Sequence, residues 1–223
     1  KAMTVKTDGL IMRTINNMIA ETIYSDFGTG SISGASHNRS VNLLYLYNQR
    51  YSENLTADKA ITDPDFIRYS AYIMGVYASR LTRISSLFNI GGKDRFTPND
   101  LLHVVMLSDF RKSANVFLQS DVFHDQFTKL LDAEEVPYWQ GSGTGYGVTD
   151  ISKVYVSTAS GHDITATGVL GVMFDRDSLG VTNLDRRVTT NYNPKAEFYN
   201  NWYKFDAGYF NDFNENFVVF FAA

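Results

Sequence analysis

Ser157, Ser160, His162 and Asp163 crowd into one short stretch and supply the residue types of a nucleophile, a base and an orienting acid. A triad is defined by geometry, however, and the Gly-x-Ser-x-Gly elbow that presents a nucleophilic serine is missing from the chain. The glycine-rich segment 141–147, Gly-Ser-Gly-Thr-Gly-Tyr-Gly, invites a phosphate-cradle reading. It fails on spacing: Gly141 and Gly143 require a glycine at 146, where Tyr146 stands, and no Gly-Lys-Ser/Thr follows. A mobile surface loop is the expected role. His37, His103, His124 and His162 are the histidines, no two at metal-ligand spacing, and cysteine is absent. That removes cysteine–zinc sites, disulfide scaffolds and thiol catalysis together. Asp175 and Asp177 could open a calcium loop, but Leu179 occupies a ligand position and Arg186 stands where the bidentate glutamate belongs. The sequons Asn38-Arg-Ser40 and Asn54-Leu-Thr56 have no secretion signal ahead of them and carry no weight.

Asp175 and Asp177 make the strongest enzymatic case. They follow the apolar run Gly171-Val-Met-Phe174 directly, and Val-Met-Phe-Asp-Arg-Asp-Ser-Leu resembles the opening motif of haloacid-dehalogenase-type phosphotransferases. That resemblance implies a first aspartate attacking phosphorus and both carboxylates holding Mg²⁺. The motif normally opens its fold, with a lysine and further acids supplied by later units. Here the remaining chain is short, strand-like and aromatic. Asp175 as the N-cap of a short turn is the preferred reading.

The elements that would position any site are legible in part. Ile11, Ile15, Met18, Ile19 and Ile23 recur at helical steps and predict a helix over Asp8–Asp26, ended by the glycine-rich loop to Gly34. Ser40 to Gln49 fits both periods: Val41, Leu43, Tyr45 and Tyr47 alternate, while Leu44, Tyr47 and Tyr51 suit a helix, which is favoured. From Pro64 to about Phe88 the residues Phe66, Tyr69, Ile73, Tyr77, Leu81, Ile84 and Phe88 predict one long helix. Asp63 is its expected cap, Pro64 its first residue, Asp65 sits at the positive end, and Gly91-Gly92 ends it. Thr97–Asp100 reads as a turn, Leu101–Leu107 as a buried strand, Ser108 or Asp109 to Gln119 as a helix, and Asp121–Leu131 as a short helix. Strands are expected over Lys153–Ser157, Gly168–Phe174, Arg187–Tyr192, Phe198–Phe205 and Phe217–Phe221. Helices come first and strands last, so the predicted class is α+β.

The bulk numbers exclude more than they assign. With 223 residues, 44% of them hydrophobic and 20% charged, the chain can bury a sizeable core. A net charge of −4 argues against a dense basic surface that grips nucleic acid. No apolar run reaches the roughly 18–20 residues of a membrane span. The 16 Phe, 14 Tyr and 2 Trp are concentrated towards the end, with eleven aromatic residues between Ala196 and Ala223. Such a tail predicts an obligate core element or an interface. In Phe198–Phe205 the alternation puts Phe198, Trp202 and the stem of Lys204 on one face and Tyr199, Tyr203 and Phe205 on the other. One face is expected to fill the subunit's own core, and the other must then meet something: a partner subunit or, with the strand sandwiched inside one domain, more of the same chain. Lys1 is not preceded by an initiator Met, which reads as a cut edge of something longer.

Three segments carry a resemblance: Gly168-Val-Leu-Gly-Val-Met-Phe-Asp-Arg-Asp-Ser-Leu-Gly-Val181, Arg186-Arg-Val-Thr-Thr-Asn-Tyr-Asn-Pro-Lys195, and the aromatic run Phe198 to Phe221. Together they resemble the C-terminal end of a major capsid (major head) protein of tailed bacteriophages. Asp8–Asp26 with its glycine-rich loop is similar to that family's spine helix, and Asp63–Phe88 and Thr97–Gln119 to elements of its axial domain. The resemblance implies a spine helix with peripheral β-strands plus an axial mixed α/β domain, N-terminally incomplete, without the family's N-terminal arm and long β-hairpin. It divides the chain into 1–36 (spine helix), 37–181 (axial domain), 182–213 (return strands of the peripheral domain) and 214–223 (a final strand back to the axial domain).

On this reading the protein is no enzyme and has no catalytic, cofactor or metal residues. It self-assembles into hexamers and pentamers that close an icosahedral shell, in the virion, after assembly in the bacterial host cytoplasm. The implied partners are copies of itself, a scaffolding protein and packaged double-stranded DNA held without sequence specificity, with no membrane. Phe198, Tyr199, Trp202, Tyr203, Phe205, Tyr209 and Phe210 are the candidate subunit contacts, since interfaces are enriched in aromatic residues. The rival readings are the phosphotransferase on Asp175 and Asp177, a carbohydrate- or receptor-binding virion protein that stacks ligands on the aromatic tail, and a cargo-enclosing nanocompartment shell.

Overall fold

The computed structural model describes residues 2–28, 35–83, 96–120, 132–140, 148–157, 163–211 and 216–223. The expected helix 121–131, the glycine segment 141–147, most of the loop after the first helix, and Ile84, Phe88, Gly91 and Gly92 lie outside them.

Helix α1 runs Ala2–Phe27, starting earlier than its apolar spacing requires. Ile15, Met18, Ile19 and Ile23 are buried along one face as the period predicts. The ambiguous segment resolves into both of its readings in turn. Strand β1 (Ser40–Asn42) is followed at once by helix α2 (Leu43–Tyr51). Asn42 makes the switch, because its side chain accepts from the Tyr45 N–H at 3.1 Å and caps the helix. A short helix α3 (Ala57–Ala60) leads into α4 (Pro64–Leu81). The expected start of α4 is borne out: Pro64 is in the first turn and Asp63 Oδ1 accepts from the Phe66 N–H at 2.8 Å. Its expected end is not. The helix stops at Leu81, whose carbonyl accepts from the Thr97 N–H at 2.8 Å. A tertiary hydrogen bond, invisible to periodicity, takes the place of the next turn.

Strand β2 (Leu102–Leu107) and helix α5 (Ser108–Ser120) follow as expected. Next come β3 (Glu134–Val136), a short helix α6 (Val148–Ile151), β4 (Val154–Ser157), β5 (Asp163–Ala166) and β6 (Val169–Asp175). A 3₁₀ turn over Arg176–Ser178 precedes β7 (Leu179–Asn193), β8 (Phe198–Asn211) and β9 (Val218–Phe221).

Among the described residues the core is a five-stranded sheet in the order β1-β9-β6-β2-β3. β6 pairs antiparallel with β2 and β9, while β1–β9 and β2–β3 at the two margins are parallel. All seven residues of β6 are buried, as a central strand covered on both faces requires. Helix α4 is joined to the sheet through Tyr77, whose ring meets Phe220 edge-on at 5.6 Å. The last strand lies between β1 and β6, and the Asn42 amide donates to the Ala223 carbonyl at 2.8 Å to fasten that end beside β1. β4 and β5 form a separate pair against α1. Trp139, fully buried, donates from Nε1 to the Val169 carbonyl at 2.8 Å and links that region to β6. Mixed helices and sheet agree with the expected α+β class.

Candidate assembly surface

The candidate contact residues all lie on β8, and the structure builds a single long hairpin from β7 and β8. Its base is set at Asp175. The Asp175 side chain accepts from the Asp177 N–H at 2.9 Å and from the Thr97 hydroxyl at 3.1 Å, and the Ser178 hydroxyl donates to the Asp175 carbonyl at 2.6 Å. Asn216 in turn donates to the Thr97 hydroxyl oxygen at 3.1 Å. Asp175 is therefore the expected N-cap, buried and occupied by structural donors, while Asp177 is exposed. The two carboxylates do not converge on one site. Ser157 donates to Asp163 at 2.8 Å across β4–β5 on the surface, and Ser160 and His162 lie outside the described residues. Among the described residues no three His, Cys, Asp or Glu side chains are placed to hold a metal ion.

The hairpin turns at Pro194–Glu197. Asn193 Oδ1 accepts from the Lys195 N–H at 3.1 Å, and Glu197 takes a left-handed φ of 51° to re-enter β8. Pairing runs from Leu179↔Asn211 to Asn193↔Phe198, interrupted once. Asn183 faces Ala207 and Asp185 faces Asp206, so Leu184 is the extra residue of a β-bulge. Because opposite residues in an antiparallel pair share a face, the register sorts the side chains into two sets. One face carries Phe198, Trp202 opposite Thr189, and Lys204 opposite Arg187. The other carries Tyr199 opposite Tyr192, Tyr203 opposite Val188, Phe205 and Tyr209. The division of β8 into faces is as expected.

The expectation that one face fills the subunit's own core is overturned. Trp202 is 53% exposed on one face, and Tyr199 and Tyr203 are 66% and 67% exposed on the other. The reason is architectural: among the described residues the outer hairpin is a two-stranded ribbon with no further layer over either side. Nearer the base, where α1 runs beside β8, Phe205 and Tyr209 are half-buried. Phe210 lies across its register partner Gly180, filling the space where a side chain would stand.

Charge lies at the turn, with Lys195 and Glu197, and again in the middle and base. Lys204 Nζ lies 2.9 Å from Asp206 and 3.3 Å from Asp185, and Arg187 Nε lies 3.5 Å from Asp185. Hydrogen bonds to Asp206 and then Asp185 hold the Lys204 ammonium above its usual pKa. Beyond this cluster, Val188–Asn193 and Phe198–Tyr203 carry no charge. Val188 and Tyr192 belong to the same exposed surface and were missed by sequence reasoning. The signal for them was the period-2 match of 187–192 to 198–205 on either side of the Asn193-Pro194 turn.

Such a ribbon offers a large amphipathic area on both sides for association. No described helix is long and apolar enough to cross a membrane. A family model described as Phi29-like phage major capsid protein matches residues 11–221. A search of curated proteins finds no match.

Proposed function

The chain belongs to the Phi29-like phage major capsid protein family and is a structural subunit of a phage capsid, and we propose that it builds that capsid through its aromatic hairpin. Family membership, which bears out the expected resemblance, places it in the virion and entails self-association into a shell. The finer reading is that copies join as hexamers and pentamers, close an icosahedral head, and enclose double-stranded DNA without reading its sequence. Closed shells of this kind need many weak, repeated contacts between identical surfaces. Assembly in the host cytoplasm with a scaffolding protein, and no catalysis at any step, belong to the same proposal. So does the division of the chain: 37–181 as an axial body around the five-stranded sheet, 1–36 and 182–213 as the peripheral part, and 214–223 as the strand returning to the sheet.

One observation carries the proposal. Phe198, Tyr199, Trp202, Tyr203 and Phe210 are exposed on a ribbon of only two strands. An isolated hairpin is marginal in water, and buried aromatic anchors dominate interface energetics. Copies of the same chain supply the missing layers, with Phe205 and Tyr209 at the edge of the contact. A mildly acidic subunit also suits a container whose wall must not trap DNA.

Electron microscopy of the protein expressed together with its scaffolding protein tests this: closed shells of uniform diameter are the expected result. A monomer that stays monomeric at high concentration and binds sugar through the exposed rings overturns it in favour of a carbohydrate-binding virion protein.

A further inference from the structure

We propose that the outer edge of β8 over Phe198–Tyr203 pairs antiparallel with the same edge of a second copy, joining two hairpins into one continuous four-stranded sheet. The inference rests on the shell-forming role above and specifies how two copies meet. Among the described residues, neither outer edge of the β7–β8 ribbon is paired with another strand. Exposed edges invite pairing unless they are blunted by charge, proline or a bulge. The ribbon carries such devices, and none lies inside this segment, which Glu197 and Lys204 flank. The bulge at Leu184 is on β7, Pro194 is in the turn, and the ionic cluster begins at Arg187 and Lys204. Phe198-Tyr-Asn-Asn-Trp-Tyr203 contains none of them.

The occupant follows from the register. In a two-fold antiparallel pair centred on a residue, facing residues share a face and their backbone groups point alike, so the hydrogen bonds match without adjustment. Centred on Asn201, the pair sets Tyr199 opposite the second copy's Tyr203 and the two Asn201 side chains opposite each other. Those two tyrosines are the most exposed large apolar side chains among the described residues, and aromatic cross-strand pairs are among the stabilising ones. The other face sets Trp202 opposite Asn200 and Phe198 opposite the stem of the second copy's Lys204, with no like charges facing across the seam. β7 offers less to a partner over Val188–Asn193, where Tyr192 is the one aromatic ring. Six residues of strand span about 20 Å. That contact is far smaller than the roughly 1,200 Å² of a stable pair, so it holds only where a shell brings many copies together.

The absence of cysteine makes the test clean. Asn201→Cys shells, oxidised mildly, are expected to run as disulfide-linked dimers, since facing residues come close enough for an unstrained bond. Shells of Thr190→Cys, altered at the position opposite Asn201 on the exposed surface of β7, are expected to stay monomeric. In the unaltered protein, hydrogen exchange should show alternate amides within 198–203 becoming protected on assembly and those of 188–193 unchanged. This measurement decides the matter if either cysteine variant fails to fold or assemble. Intact shells that give no Asn201→Cys dimer, equal dimer from both positions, or no new protection within 198–203 overturn the edge pairing and leave the capsid role standing. A cysteine-free protein that forms no shells overturns that role, and the edge pairing falls with it.

Discussion

Tyr47 shows how much of this molecule is decided one side chain at a time. It is 3% exposed, its ring packed against Tyr51, Phe66 and Tyr69 where α2 meets α4. Burial first, and then the nearby carboxylates of Asp63, Glu53 and Asp65, push its hydroxyl pKa up from 10.0 to about 12. Burial raises Tyr69 and Tyr77 as well. A pKa raised in the folded state favours the protonated form there, so the stabilisation is whole below pH 10. It is lost as pH climbs from 10 towards about 12, because the unfolded chain ionises first. Tyr47→Phe should therefore show a shallower fall of Tm over that range than the unaltered protein, and equal slopes would count against this assignment. Asp63 and Asp175 were legible as caps because a cap's partner is two or three residues away. The Thr97 hydroxyl that completes the Asp175 site is 78 positions distant and was not.

At the scale of elements, local pattern succeeded where one element stood alone in its window. It failed where a tertiary contact cut in. The apolar spacing over 66–88 is genuine, yet α4 ends at Leu81 because Thr97 takes its last free carbonyl. The segment 40–49 carries both periods because it contains a strand and a helix end to end. Gly168 is the joint on which the end of the central sheet depends. Its φ is +78°, its carbonyl accepts from the Ala222 N–H at 2.9 Å, and an added Cβ would overlap the Ala222 carbonyl. Gly168→Ala should destabilise the subunit by about 1–3 kcal/mol. Gly75→Ala, mid-way along α4 with open space around it, should stabilise by about 0.5–1 kcal/mol. Thermal melts of the two variants should shift in opposite directions, and a shared direction would contradict the joint.

For the whole molecule the decisive feature is the split between a buried sheet and an uncovered ribbon. Tyr199 and Tyr203 contribute nothing to the subunit's own core, so the double variant Tyr199→Ser, Tyr203→Ser should melt within about 0.5 kcal/mol of the parent. Sedimentation of the same variant should show shells lost or sharply reduced, since interface anchors carry most of an association energy. A large drop in subunit stability would instead place these rings in a monomer core. From the order of residues alone came the α+β class, the buried face of α1, the caps at Asp63 and Asp175, the two faces of β8 and the kinship to phage capsid subunits. These are local or compositional properties: period, capping and turn chemistry act within a few residues of chain. Only the tertiary structure decided that β9 crosses to pair with both β1 and β6, that α4 stops at Leu81, and that both faces of the outer hairpin lie open. Alternation tells which side chains share a side of a strand. Whether anything covers that side depends on where distant segments come to rest, which the spacing of residues along one strand does not encode.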